Sequence, residues 1–169
     1  MMDGLLRHLR DDQQGMATIE FALLSVLFFF VMMAGLDIGM WYQQRLRVES
    51  AVEQGSMIAF NSRTAVDQSA IATYVAAAAK LSTAPVVTVG CNGGTNNCVN
   101  TGRTYACISG TTPTPTYTTA ALNAACADGS LAGYYMTIRA VATSSPMLVP
   151  SAMLGGNMVQ TRSAVVRLE

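Results

Sequence analysis

The chain has a single histidine, His8, close to its N-terminus. A Ser-His-Asp or Cys-His pair in the body of the chain is therefore excluded, as is a zinc site that includes histidine. Charge is also scarce. Only 12% of the residues are charged, and 10 basic against 10 acidic side chains leave a formal net charge of zero. The basic excess of a nucleic-acid surface is missing. Between Gln68 and Leu168 the one acid is Asp128, too little to build a calcium site. No G-x-x-x-x-G-K-[ST] and no G-x-G-x-x-G occurs, so any ATP-driven step falls to another protein. The residues point to a chain that is not an enzyme and that uses no cofactor and no metal.

The apolar share of 51% in 169 residues is high for one ordinary domain and is unevenly placed. Phe21 to Leu36 reads FALLSVLFFFVMMAGL, with no charge and only Ser25 plainly polar. Counted from Met16, the run reaches the ~20 residues a helix needs to cross ~30 Å of hydrocarbon. Residues 16–36 are read as a single transmembrane helix. A secretory signal fits poorly, because Met1 to Gly15 is long and of mixed charge and no A-x-A-like site follows the run. The run passes instead into Asp37 and the pair Trp41-Tyr42.

Glu20 is the only charge between Asp12 and Asp37, and it lies inside the apolar segment. Insertion scales put a mid-helix acid at a cost of ~2.5–3.5 kcal/mol, so a carboxylate there needs a partner. Cutting the chain after Gly15 would supply one. Met16 would become the first residue, and its new α-amino group could meet Glu20 of a neighbouring subunit. Snorkelling of Glu20 to the headgroups is the plainer reading of the same residue.

The stretch Gly15-Met-Ala-Thr-Ile-Glu20-Phe21, followed by an apolar run, resembles the processing site of type IV pilin-like precursors. With G-M-A-T-I-E-F-A-L-L at 15–24, G-L-D-I-G at 35–39 and V-E-S-A-V-E-Q-G at 48–55, it resembles the TadE-like branch in particular. That branch comprises minor pseudopilins of the tight-adherence (Flp) pilus system. The resemblance implies cleavage by a prepilin peptidase between Gly15 and Met16, with Glu20 and Phe21 serving assembly. It implies as partners other minor and major pilins, the inner-membrane pilus assembly platform and membrane lipid, with no nucleic acid. It also implies a single pass through the bacterial inner membrane, N-terminus cytoplasmic and head periplasmic, with incorporation into an extracellular pilus as a further stage. Arg7 and Arg10 on one side balance Arg45 and Arg47 on the other, so charge alone does not orient the helix. Two other functions remain open: a tip adhesin whose loops contact a surface, and an uncleaved single-pass scaffold of the secretion machinery.

With no proline before Pro85, the helix is expected to continue to about Asn61, roughly 70 Å at 1.5 Å per residue. Trp41, Val48, Val52, Gly55 and Ala59 share one face, and Gln43, Arg47, Ser50 and Gln54 the other. Gly35 and Gly39 form a G-x-x-x-G pair, suited either to close helix packing or to a loosened helix exit. A second helix is expected from Asp67, a suitable N-cap, to about Leu81. Short strands are expected at 86–89 and 105–108, and a short helix at 120–125, with the Thr/Pro run 111–119 an exposed loop. Tyr134, Met136, Ile138, Ala140 and Ala142 alternate as the inner face of a strand, and 159–168 reads as a last strand.

The fold class that emerges is α+β: a long transmembrane and stalk helix, a second helix, and a small antiparallel sheet head with disulfide-stapled loops. Four parts are delimited: a leader 1–15, the membrane helix 16–36, its periplasmic continuation 37–63, and the head 64–169. Cys91, Cys98, Cys107 and Cys126 lack C-x-x-C spacing, and in a periplasmic head they favour two disulfides. Three pairings are open; local loop closure favours Cys91–Cys98 with Cys107–Cys126.

Overall fold

The computed structural model describes residues 13–112 and 114–169. Most of the expected leader, residues 1–12, thus lies outside the described residues. Helix α1 runs without a break over Gln13–Asn61, 49 residues, or about 74 Å. It contains no proline, and its glycines at 35, 39 and 55 do not interrupt it. The turn after it is closed by Ser62 N–H on Ile58 O and Ala65 N–H on Ser62 O. Asn100 then reaches over from a distant loop and bonds both the N–H and the C=O of Val66, at 2.8 and 3.3 Å.

Helix α2, Gln68–Ala78, starts where Asp67 caps it. The Asp67 carboxylate accepts the N–H groups of Ser69 and Ala70 at 3.0 Å and the Ser69 hydroxyl at 2.8 Å. Those bonds favour the charged form and hold the Asp67 carboxyl below the ordinary value of 3.8. The helix ends three residues short of Leu81, because Lys80 takes a left-handed conformation (φ 48°) that no helix continues. Ile71 and Val75 are its buried residues. They lie against Gly55, where a Cβ would run into the Val75 side chain. The glycine is what lets α2 lie so close on α1.

Three strands, β1 (Val86–Cys91), β4 (Tyr135–Ser144) and β5 (Met158–Arg167), make an antiparallel sheet in the order β1-β4-β5. Met136 lies opposite both Cys91 and Val166, and Ala140 opposite Val87 and Arg162. The alternation along β4 is real: Met136, Ile138, Ala140 and Ala142 are buried and face the helices. Together with Val48, Ala51, Val52, Ala59, Ile71 and Val75 they form one core between a helical layer and a sheet. A Glu49–Arg162 ion pair at 3.3 Å ties α1 to β5 at the side of that core.

A hairpin of β2 (Tyr105–Ser109) and β3 (Thr116–Ala120) sits apart as a two-stranded sheet. The structure pairs Cys91 with Cys98 and Cys107 with Cys126, each cysteine with its neighbour in sequence. One bridge closes the loop after β1; the other ties the hairpin to segment 121–133. Two expectations are corrected here. Thr116–Ala120, read as part of a loop, is a strand, because Tyr117 seats its hydroxyl on Thr137 at 2.6 Å and its ring on Tyr135. Residues 120–125 form no helix: Ala120 finishes β3, Asn123 is left-handed (φ 58°), and Ala125 bridges Leu131.

Candidate membrane and assembly site

Along α1 the surroundings change at Asp37, the first buried residue of the helix among the described ones. From Met16 to Leu36 the apolar side chains stand outside the fold, Phe21 at 74% exposure and Leu36 at 55%. Ser25 hides its polarity by donating to the Ala22 carbonyl, 2.9 Å away, as hydroxyls in apolar helices do. Phe28 and Phe29 meet edge to face at 6.2 Å. Glu20 is exposed on this surface, four residues from Met16, so the two lie about one helical turn apart. A Cβ added at Gly35 or at Gly39 would meet nothing within 4 Å. The pair therefore forms a shallow place on an unbroken helix. The loosened exit considered from the sequence does not occur.

From Asp37 upward one stripe is covered by the head: Asp37, Val48, Ala51, Val52, Gly55 and Ala59 are buried. Asp37 is the unexpected member. Only 4% of it is exposed, yet it carries a carboxylate. Its Oδ1 accepts the Met147 N–H at 2.9 Å, and its Oδ2 accepts those of Leu148 and Val149 at 3.1 and 2.8 Å. The fourth contact is Leu148 N–H to Oδ1 at 3.2 Å. Three consecutive amides of the loop between Pro146 and Pro150 are thus gathered on one charged group, a strong form of hydrogen bond. Two turns along, Gln44 Oε1 accepts the Ser144 hydroxyl, and Arg45 lies over the Trp41 ring at 5.9 Å.

The sequence spacing does carry a signal for Asp37: it stands one turn before Trp41 on the stripe that continues through Val48 and Val52. An acid at the head of an apolar stripe needs donors, and the spacing alone could not show that a loop 110 residues away supplies them. The expected processing pair, Gly15 and Met16, lies in the first described turn of α1. Neither the processing pair nor Glu20 and Phe21 touch the head's core; the disulfides lie within the head.

This geometry defines a class: a small α+β head built on a helix whose other half is long and apolar enough to cross a membrane once. The family model for TadE-like protein matches residues 15–57, nearly the whole of α1, consistent with a TadE-like protein of the tight-adherence pilus system. The match ends before α2, so the head's sheet and loops lie beyond it. No curated protein matches the chain, and no solved structure does. TadE-like pilus proteins are structural components that associate with other parts of the pilus.

Proposed function

We propose that the chain is the precursor of a minor pilin-like subunit for a tight-adherence pilus, cut by a prepilin peptidase after Gly15. The observation that carries this reading is the position of Glu20: the one carboxylate in the exposed apolar run 16–36, five residues past Gly15. Glycine suits the scissile position because it offers the peptidase bare backbone. Cleavage frees an α-amino group at Met16, and the charge it brings is what an anion in lipid or in a helix bundle lacks. Within an assembly, Glu20 of one subunit pairs with the Met16 amine of the next and sets the axial register. Burial of Phe21 and the run to Leu36 among like helices holds the assembly together, with Gly35 and Gly39 marking where a neighbouring helix comes closest.

In the native host, Gly15→Leu is expected to leave the precursor uncut on immunoblots. Glu20→Ala is expected to be cut normally and to abolish pili. Normal piliation with Glu20→Ala would refute the amine pairing, and efficient processing of Gly15→Leu would refute the peptidase site.

A further inference from the structure

From Ala140 to Thr161 the chain carries no charged side chain. This segment comprises the second half of β4, the Pro146–Pro150 loop, the short 3-10 turn Ser151–Leu154 and the start of β5. A loop joining two antiparallel strands is ordinarily polar, since water satisfies its backbone. Here Met147 is 77% exposed, Met153 65% and Leu148 46%. Exposed apolar side chains grouped at one loop tip mark an interaction surface.

The Asp37 clamp fixes where that surface lies. Because Met147, Leu148 and Val149 all donate to Asp37, the loop tip sits at the height of residue 37 on α1. Leu36 ends the apolar run, so the tip is about 1.5 Å along the axis from the run's end. A bilayer that takes up residues 16–36 has its surface against this loop. Trp41 and Tyr42 stand about one turn higher, where amphipathic rings favour the headgroup level. Arg45 and Arg47 are the first cations beyond them. The clamp also removes the usual obstacle to lipid contact. Three amides that would be unpaired at the tip are satisfied, and the carboxylate that satisfies them is itself buried.

We propose that residues 146–154 form a second membrane contact, in which Met147, Leu148 and Met153 enter the interfacial zone of the lipid bilayer beside α1. The proposal rests on the reading of residues 16–36 as membrane-spanning. Its effect is to hold the head at a fixed height and tilt, which one helix passing through lipid does not do. The contact involves no charge, so it is insensitive to salt, unlike a polybasic lipid site.

Single-tryptophan quenching in vesicles tests this. The full chain, carrying Trp41→Phe, is reconstituted in phosphatidylcholine brominated in the upper acyl chain. One tryptophan is then introduced per variant: Met147→Trp, Met153→Trp, Phe29→Trp in the apolar run, or Leu122→Trp. Leu122 follows β3 at the Tyr135 end of the sheet, about 30 Å from the loop along β4. Quenching of the Met147→Trp and Met153→Trp variants at least fivefold stronger than that of Leu122→Trp, and unchanged in 1 M salt, is the expected result. If Phe29→Trp is quenched while the two loop variants match Leu122→Trp, the helix spans and the loop proposal is overturned. If Phe29→Trp is not quenched either, the spanning reading itself falls. Loop emission that ignores the bromines but shifts to the blue as the protein-to-lipid ratio rises places another copy on this surface and also overturns the proposal. Should Trp41→Phe fail to fold, the same variants are read in the native background by difference.

Discussion

The two halves of α1 form one helix with opposite surroundings. Below Asp37 the apolar residues are exposed on every side; above it one apolar stripe, Val48, Ala51, Val52 and Ala59, is covered by α2 and the sheet, while Leu46, Met57 and Phe60 on the other faces stay exposed. Valine shows the contrast plainly, since Val26 is 70% exposed and Val52 only 2%. The lower half satisfies its backbone by itself and leaves its side chains for an outside apolar medium. The upper half acts as one layer of a two-layer head. Asp37 sits at the junction, and its carboxylate accepts from the head-side amides of Met147, Leu148 and Val149. In this helix, hydrophobicity alone does not tell core from membrane surface, whereas the width of the apolar face does.

Substitutions that differ only in which half they fall should separate the two roles. The largest contrast is expected from Val52→Asp against Val26→Ser. An unpaired charge in the core costs more than about 3 kcal/mol and should abolish the head's cooperative melting. Val26→Ser should leave the melting temperature of the full chain in detergent within about 2 °C of the wild type. Equal losses would mean the lower half is part of the folded core. A smaller contrast is expected between the glycines. Gly55→Leu forces a side chain into Val75 and should destabilise the head by roughly 1–3 kcal/mol, whereas Gly35→Leu meets open space and should not change the melt. Smaller again is Asp37→Asn, which offers one acceptor oxygen where two now serve and turns an N–H toward other N–H groups. A drop of roughly 5 °C in melting temperature is expected. Faster hydrogen exchange confined to Met147, Leu148 and Val149 should accompany it. Unchanged exchange at those amides would show that the clamp does not hold the loop.

Much of this architecture is legible in local signals. Proline-free sequence up to Pro85 permits one long helix, Asp67 with Ser69 marks the second helix start, and the period of two from Tyr134 to Ala142 marks the central strand. The features that are not legible locally depend on distant partners. Thr116–Ala120 lacks an apolar alternation and follows two prolines, and it becomes a strand through β2 and the Tyr117–Thr137 contact. Similarly, Asp37 gives no sign of a loop held over 110 residues. The end of α2 is hidden in the sequence because alanines through Ala79 favour helix, while the left-handed turn at Lys80 comes from the chain's need to reverse toward β1. At the candidate site the position of Glu20 after Gly15 is visible in the residues themselves, while the use made of it depends on a neighbouring molecule.

That use is tested most directly by the intact mass and N-terminal sequence of the protein purified from its native membranes or pili. The account predicts a chain that begins at Met16, with the Met16 amine free to meet a neighbour's Glu20. A native chain whose first residue is Gly15 or any residue before it would contradict it.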